Sequence, residues 1–279
     1  MDVVHGVTGL TRAQGRLFVV VGVFDGLHRG HHYLLARLRE AARAHDARPA
    51  VITFDAHPDE IVLGHAPPLL LDPDERLARL AAAGVEVTVV QHFDAALRMT
   101  EFDVFVARIA GRVGLAGFLM TPDAAFGHDR RGTPTTLAEL GTRMGFDVNV
   151  VPPFSLEGRP VRSRAIRDAI ASGDLALGRH LLGRPMAVTG DLAGGTMTFP
   201  IPVALPPDGS YRVTVEPAWT AEGRSAAPRR SAVRVDGDRV DLSPQGNDTG
   251  PRVRVAFGPR LPEEGNPAIL RRSQKKTSK

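Results

Sequence analysis

The sequence predicts an α/β protein, a doubly wound parallel sheet followed by a small β domain. Three observations predict it. Over the first part of the chain, short apolar, β-branched runs alternate with amphipathic helical patterns. A glycine-rich turn bearing histidines follows the first such run directly, where a helix begins. Past about Pro185 the helical patterns stop, and valine-rich alternating segments broken by glycine and proline take over.

The strand candidates are 17–23 (LFVVVGV), 50–54 (AVITF), 85–90 (VEVTVV), 117–121 (GFLMT) and 147–151 (DVNVV). They are short and apolar, as strands covered on both faces are. Helical patterns lie near 31–45, 73–83, 101–112 and 134–144. In the first, Leu34, Leu35, Leu38, Ala41 and Ala42 form one apolar stripe. The second opens with acids after Asp72 and stops at Gly84, so both ends are marked. Strand alternating with helix implies parallel pairing. Two further helical patterns follow, "SRAIRDAIASG" and "DLALGRHLLG". In the later region the strand candidates are 211–215, 231–235 and 252–257, with 217–230 read as an exposed loop. The expected division is 1–186 for the α/β domain, 187–262 for the β domain and 263–279 for a basic, disordered tail.

Composition excludes several chemistries. The chain has no cysteine, so disulfides, thiolate metal sites and a cysteine nucleophile are ruled out. Its lysines are Lys275, Lys276 and Lys279, all in the tail. A Walker-type loop, which needs Gly-Lys-Ser/Thr, is therefore absent, as is a Schiff-base lysine in the body. Phosphate, if held, must be held by arginine, histidine, hydroxyls or backbone N–H groups. The formal charge is +4, and "RRSQKKTSK" carries five positive charges, so the remainder sums to −1. Nucleic-acid binding is thus not expected of the body. With no apolar run of membrane-spanning length and no signal-peptide pattern, a cytoplasmic location without membrane contact is expected.

The stretch "GVFDGLHRGHHYLL" (22–35) carries the chemistry. Ligands of open α/β sheets collect at the carboxyl ends of strands, and a helix start there offers free N–H groups to phosphate. Gly26 and Gly30 allow a tight turn and close approach of a ligand. His28 and His31, three apart, can converge on one point. No carboxylate stands at a matching spacing, so a protein-held metal is not expected here. A single histidine at a helix start is most often a cap; it is the ordered conjunction of strand, turn, His-x-Gly-His and helix that points to function.

At these residues the chain resembles the nucleotidylyltransferase superfamily, and specifically the FAD synthetase module of bacterial bifunctional riboflavin kinase/FAD synthetases. "TFDAHPDEIV" (53–62) is similar to that family's Thr-Phe-x-Pro-His-Pro, with Ala56 for the first proline. "TPDAAFGHDRRGTPTTL" (121–137) is similar to its Gly-x-Asp-Phe-x-Phe-Gly, keeping Asp123, Phe126 and Gly127 but with Ala124 for an aromatic. "RSRAIRDAI" (162–170) is similar to its Ser-Ser-Thr-x-Ile-Arg, with Arg162 for the first serine and Arg164 for threonine. "GDLALGRHLLGRPMAVTG" (173–190) is similar to its exit into the kinase domain.

The resemblance implies a Rossmann-like fold and adenylyl transfer from ATP to FMN. It implies catalytic roles for His28, His31, Ser163 and Arg167. Gly22, Val23, Phe24, Asp25, Gly26, Gly30 and Arg164 would bind ATP, and Phe54, His57, Pro58, Asp123 and Phe126 would line the flavin side. Magnesium would arrive with ATP. In the β domain, "GGTMTFPIPVALPPDGSYRVTV" (194–215) resembles the kinase opening, but Ile201, Pro202 and Val203 replace its Thr-Ala-Asn. The expectation is therefore a degenerate riboflavin-kinase-like barrel without kinase activity. Other readings remain open at this point: transfer to another phosphate-bearing or modified flavin, or a non-catalytic flavin- or nucleotide-binding regulatory protein. The oligomeric state has no signature in the sequence.

Overall fold

In the computed structural model, residues 1–218, 227–242 and 252–262 are described. The basic tail and most of the 217–230 loop lie outside the described residues. The first part is a six-stranded parallel sheet of β1 (Asp2–His5), β2 (Arg16–Val21), β3 (Arg48–Phe54), β4 (Val87–Gln91), β5 (Gly114–Met120) and β6 (Asp147–Val150). The strand order is β1-β4-β3-β2-β5-β6. The edge strand β1 was not expected; four residues with a half-exposed pattern give it no apolar run of its own, and pairing with β4 defines it.

Helices α1 (Arg29–Ala44), α2 (Pro58–Leu63), α3 (Pro73–Ala82), α4 (Ala95–Arg98), α5 (Phe102–Ala110) and α6 (Pro134–Met144) connect the strands. The period-two alternation of the strands divides their side chains between two cores. Leu17 and Val19 of β2 pack with Phe105 and Ile109 of α5, whereas Phe18 and Val20 pack with Leu35 and Leu38 of α1. Both faces of β2 are therefore covered, which is why its sequence shows no polar alternation. Asp72 caps α3 by accepting from the backbone N–H groups of Asp74 and Glu75, and Pro73 occupies its first turn.

A short hairpin, β7 (Ser155–Leu156) with β8 (Arg159–Pro160), leads into α7 (Ser163–Ala171) and α8 (Leu175–Leu182). The chain then forms a closed antiparallel barrel of β9 (Ala187–Ala193), β10 (Thr196–Thr198), β11 (Gly209–Pro217), β12 (Arg229–Asp236), β13 (Arg239–Leu242) and β14 (Arg252–Arg260). The barrel core is not self-contained. Leu70, Ile166, Ile170 and Leu182 from the α/β part are buried in one cluster with Met186, Val188, Met197 and Tyr211. A chain cut near Gly190 would leave those side chains bare to water. No helix among the described residues is long and apolar enough to cross a membrane.

Candidate active site

Strand β2 lies between β3 and β5, and the connections run to opposite sides of it. Its carboxyl end is thus the switch point where an open sheet leaves a crevice. The strand stops at Val21, two residues earlier than expected, because the backbone turns. Phe24 (φ 55°), Gly26 (φ 80°) and Leu27 (φ 34°) adopt positive φ, which costs energy for the two residues with side chains. The surroundings hold them there: Phe24 and Leu27 are buried in the core. Arg184 donates to the Gly26 and Leu27 carbonyls at 2.7 and 3.3 Å. Arg76 of α3 donates to the carbonyls of Val23 and Phe54 at 3.2 and 2.8 Å, bracing the ends of β2 and β3. Sequence reasoning missed both arginines. Arg184 at least belongs to the Gly-Arg-Pro exit; Arg76 carries no local signal, since only folding sets it against these carbonyls.

The turn delivers His28 to the N-cap of α1, where its Nδ1 accepts from the His31 N–H at 3.2 Å. That bond puts the ring's hydrogen on Nε2. The rings of His28 and His31 stack with centroids 3.7 Å apart, and Phe24 lies against His31 at 5.0 Å. Burial, assisted by Arg184 and His32, lowers His28 to a pKa of about 4. Burial and the neighbouring His28 also push His31 well below its ordinary value. The pair is therefore neutral near pH 7. His31 Nδ1 is buried without a hydrogen-bond partner among the described residues. At Gly30 a Cβ would stand 3.1 Å from the His28 ring, so glycine keeps the imidazoles in place.

Ser163 and Arg167, from α7, reach the same turn. Ser163 Oγ donates to the Asp25 carbonyl at 3.1 Å. Arg167 Nη2 donates to the Asp25 carboxylate at 2.5 Å, and its Nε to the Pro68 carbonyl at 2.7 Å. Asp25 is 3% exposed and accepts the Leu70 N–H on both oxygens, at 3.0 and 3.1 Å. Burial pushes its carboxyl upward, and Arg167 opposes this. Arg164 is exposed, with no polar partner among the described residues. Arg162 donates instead to Asp123 at 2.9 Å. That ion pair joins the start of α7 to the loop after β5.

Beside the turn lies a pocket of about 620 Å³. Gly22 and Val23, which the resemblance puts on the ATP side, line it together with Phe54, His57, Pro58 and Phe126, which the resemblance puts on the flavin side. Phe93, Phe105, Phe118 and Met120 complete an aromatic and apolar wall that the sequence did not single out. These come from core-like segments, so only the closure of β3, β4, β5 and α5 around one space marks them. Asp123 does not line the pocket; it sits beside it, held by Arg162 and by Thr121 Oγ1 at 2.9 Å.

The family model of FAD synthetase matches residues 10–165, which contain the turn, the histidines and every pocket residue named above. The chain belongs to the FAD synthetase family. Relatives named bifunctional riboflavin kinase/FMN adenylyltransferase agree. The one from Escherichia coli strain K12 is 33% identical over 233 residues, 77% of this chain and 73% of that protein. The one from Haemophilus influenzae is 30% identical over 207 residues, 72% of this chain and 67% of that protein. A solved structure titled macrolide-efflux protein from Streptococcus pneumoniae superposes with a TM-score of 0.78 at 23% identity, covering 98% of this chain and 95% of that one. It shows that the sheet-plus-barrel fold recurs over nearly the whole length.

Proposed function

We propose that this chain makes FAD through the residues gathered around the end of β2, transferring AMP from ATP to FMN with release of pyrophosphate. The activity is that of its family. The observation that carries the assignment of the parts is the 620 Å³ aromatic pocket lined by Gly22 and Val23, which begin the turn that carries His28 to the start of α1. A pocket of this size and lining suits the isoalloxazine ring. The FMN phosphate attacks the α-phosphorus of ATP, the bond to the bridging oxygen breaks, and pyrophosphate leaves. No covalent enzyme intermediate is required.

Such transfer depends on positioning and on donors aimed at developing charge. His28, with its hydrogen on Nε2, acts as a neutral donor to the phosphates, and His31 lies nearer the transferring group. Ser163, at the start of α7, and Arg167, one turn further along it, serve the β- and γ-phosphates; Arg167 does so while braced by Asp25. Exposed Arg164 is a further cation for the phosphate tail. Gly22 to Gly26 and Gly30 bring backbone close to the nucleotide. Magnesium belongs to the MgATP substrate. Asp25, the carboxylate of the turn, has both oxygens engaged by Leu70 and Arg167, so phosphates and water would provide the metal's ligands.

We place the division between the FAD synthetase part and the kinase-like barrel at 186/187, and the enzyme in the cytoplasm. The barrel is read as lacking kinase activity. Exposed Ile201, with Pro202 and Val203, stands where Thr-Ala-Asn would serve nucleotide and metal. The test is the purified full-length chain with MgATP and FMN, FAD being resolved by chromatography. FAD is expected. With riboflavin in place of FMN, no FMN or FAD is expected, and its formation would show that the barrel works as a kinase.

A further inference from the structure

The segment that replaces the kinase motif has a visible task. Leu69 and Val203 form an isolated parallel bridge between the loop after α2 and the barrel. Leu69 N–H donates to the Pro202 carbonyl at 2.8 Å, and Ala204 N–H donates to the Leu69 carbonyl at 2.9 Å. The residues on either side of Leu69 both act in the site. Pro68 offers its carbonyl to Arg167 Nε, and Leu70 gives its N–H to the Asp25 carboxylate. The Leu70 side chain is buried in the barrel cluster, as are Ile166 and Ile170 on the inner face of α7. Without the barrel, residues 66–71 would be a loop with two prolines and no sheet partner.

We propose that the barrel is a positioning element for adenylyl transfer, and that residues 201–204 clamp the loop holding Asp25 and Arg167. Leu69 and Ala204 are positioning residues that act through those two side chains and touch no substrate. The buried Asp25–Arg167 pair needs its remaining hydrogen bonds satisfied in fixed geometry. The clamp fixes Pro68 and Leu70, and these fix the direction in which the Arg167 guanidinium faces the phosphates. The inference rests on the reading of Arg167 as a phosphate residue. It explains why a barrel stripped of the kinase motif persists in this chain.

The experiment uses full-length protein in which one N–H of the clamp is deleted, Ala204→Pro or Leu69→Pro. MgATP affinity is read by calorimetry without FMN, alongside steady-state FAD synthesis and far-UV circular dichroism. Either variant is expected to weaken MgATP binding and raise the ATP KM about fivefold to tenfold, the effect of one or two hydrogen bonds. The FMN KM should not change. A purely structural role would lower the active fraction and leave both constants alone. Wild-type ATP affinity in a folded variant overturns the proposal.

Should neither variant fold, hydrogen–deuterium exchange on the wild-type chain decides. MgATP is expected to slow exchange in 66–71 and 201–205 together, and protection confined to 22–31 and 163–167 overturns the clamp. Wild-type protein that binds MgATP yet makes no FAD would refute the acceptor reading alone, with the affinity comparison still deciding this one.

Discussion

The His31 ring lies on the His28 ring with its plane tilted by only 14°, and the two share one buried, uncharged environment at the start of α1. Stacked imidazolium ions would repel, so the arrangement itself favours the neutral forms. The fold therefore stores a pH dependence in the two groups proposed to serve the phosphates.

The His28 pKa is about 4 in the folded chain against 6.5 as the ordinary value. Below pH 6.5 the unfolded chain takes up a proton that the native chain refuses, so stability is full above 6.5 and falls as pH drops toward 4. From pH 7 to pH 5 this group should remove about 2 kcal/mol. His28→Asn keeps an N-cap acceptor, and urea denaturation at both pH values should show a smaller loss in that variant. An equal loss would mean the pH dependence comes from elsewhere. His31→Ala should lower FAD turnover about 100- to 1,000-fold with the fold retained.

Arg167→Ala removes the guanidinium from a carboxylate that is almost fully buried. The expected cost is about 3–5 kcal/mol of stability, since the stranded Asp25 charge has lost its counter-ion. Adding Asp25→Asn should recover part of it, which chemical denaturation of the double variant would read. In enzyme that remains folded, the ATP KM should rise more than the FMN KM. An effect confined to FMN would reverse the assignment of the two halves of the site.

Arg162 and Asp123 are both more than half exposed, so their ion pair adds little to stability. It nonetheless occupies a carboxylate beside the aromatic pocket proposed for the flavin. Arg162→Ser should leave the melting temperature unchanged and lower the FMN KM about twofold to fivefold, the strength of a surface pair. A raised FMN KM would show that Arg162 itself binds the acceptor.

Arg254 of β14 is buried between Glu75 of α3 and Glu216 of β11, at 2.8 and 3.4 Å. Arg254, first by its charge, draws the Glu75 carboxyl below its ordinary value against the effect of burial. Glu75 keeps Arg79 at 2.6 Å, so Arg254→Ala should cost about 1–3 kcal/mol, the cost of lost charge-assisted hydrogen bonds. Because Arg76 follows Glu75 on the same helix and braces Val23 and Phe54, FAD synthesis should fall as well. Denaturation curves and turnover measured on one preparation would check both.

The sequence by itself determined the parallel sheet, the ends of α3, the change to β structure past Pro185 and the His-x-Gly-His turn. All of these are local. Apolar runs, caps, glycines and a short motif fix φ/ψ and one buried face, whatever lies far along the chain. Phe54, His57, Pro58 and Phe126 meeting in one pocket followed from motif resemblance, and the fold brings them together. Only the tertiary structure decided the rest. Edge strand β1 exists because β4 pairs with it. Arg76 and Arg184 matter because folding sets them against carbonyls at the end of β3 and in the turn after β2, 22 to 158 residues away in sequence. Asp25, read from sequence as a nucleotide contact, has its carboxylate taken by Leu70 and Arg167. Ile201-Pro202-Val203 reads in sequence only as a lost motif; in the fold its backbone holds Leu69. Hydrogen bonds of main-chain groups carry no residue signature, so a role made of them becomes visible only when distant segments are brought within 3 Å of each other.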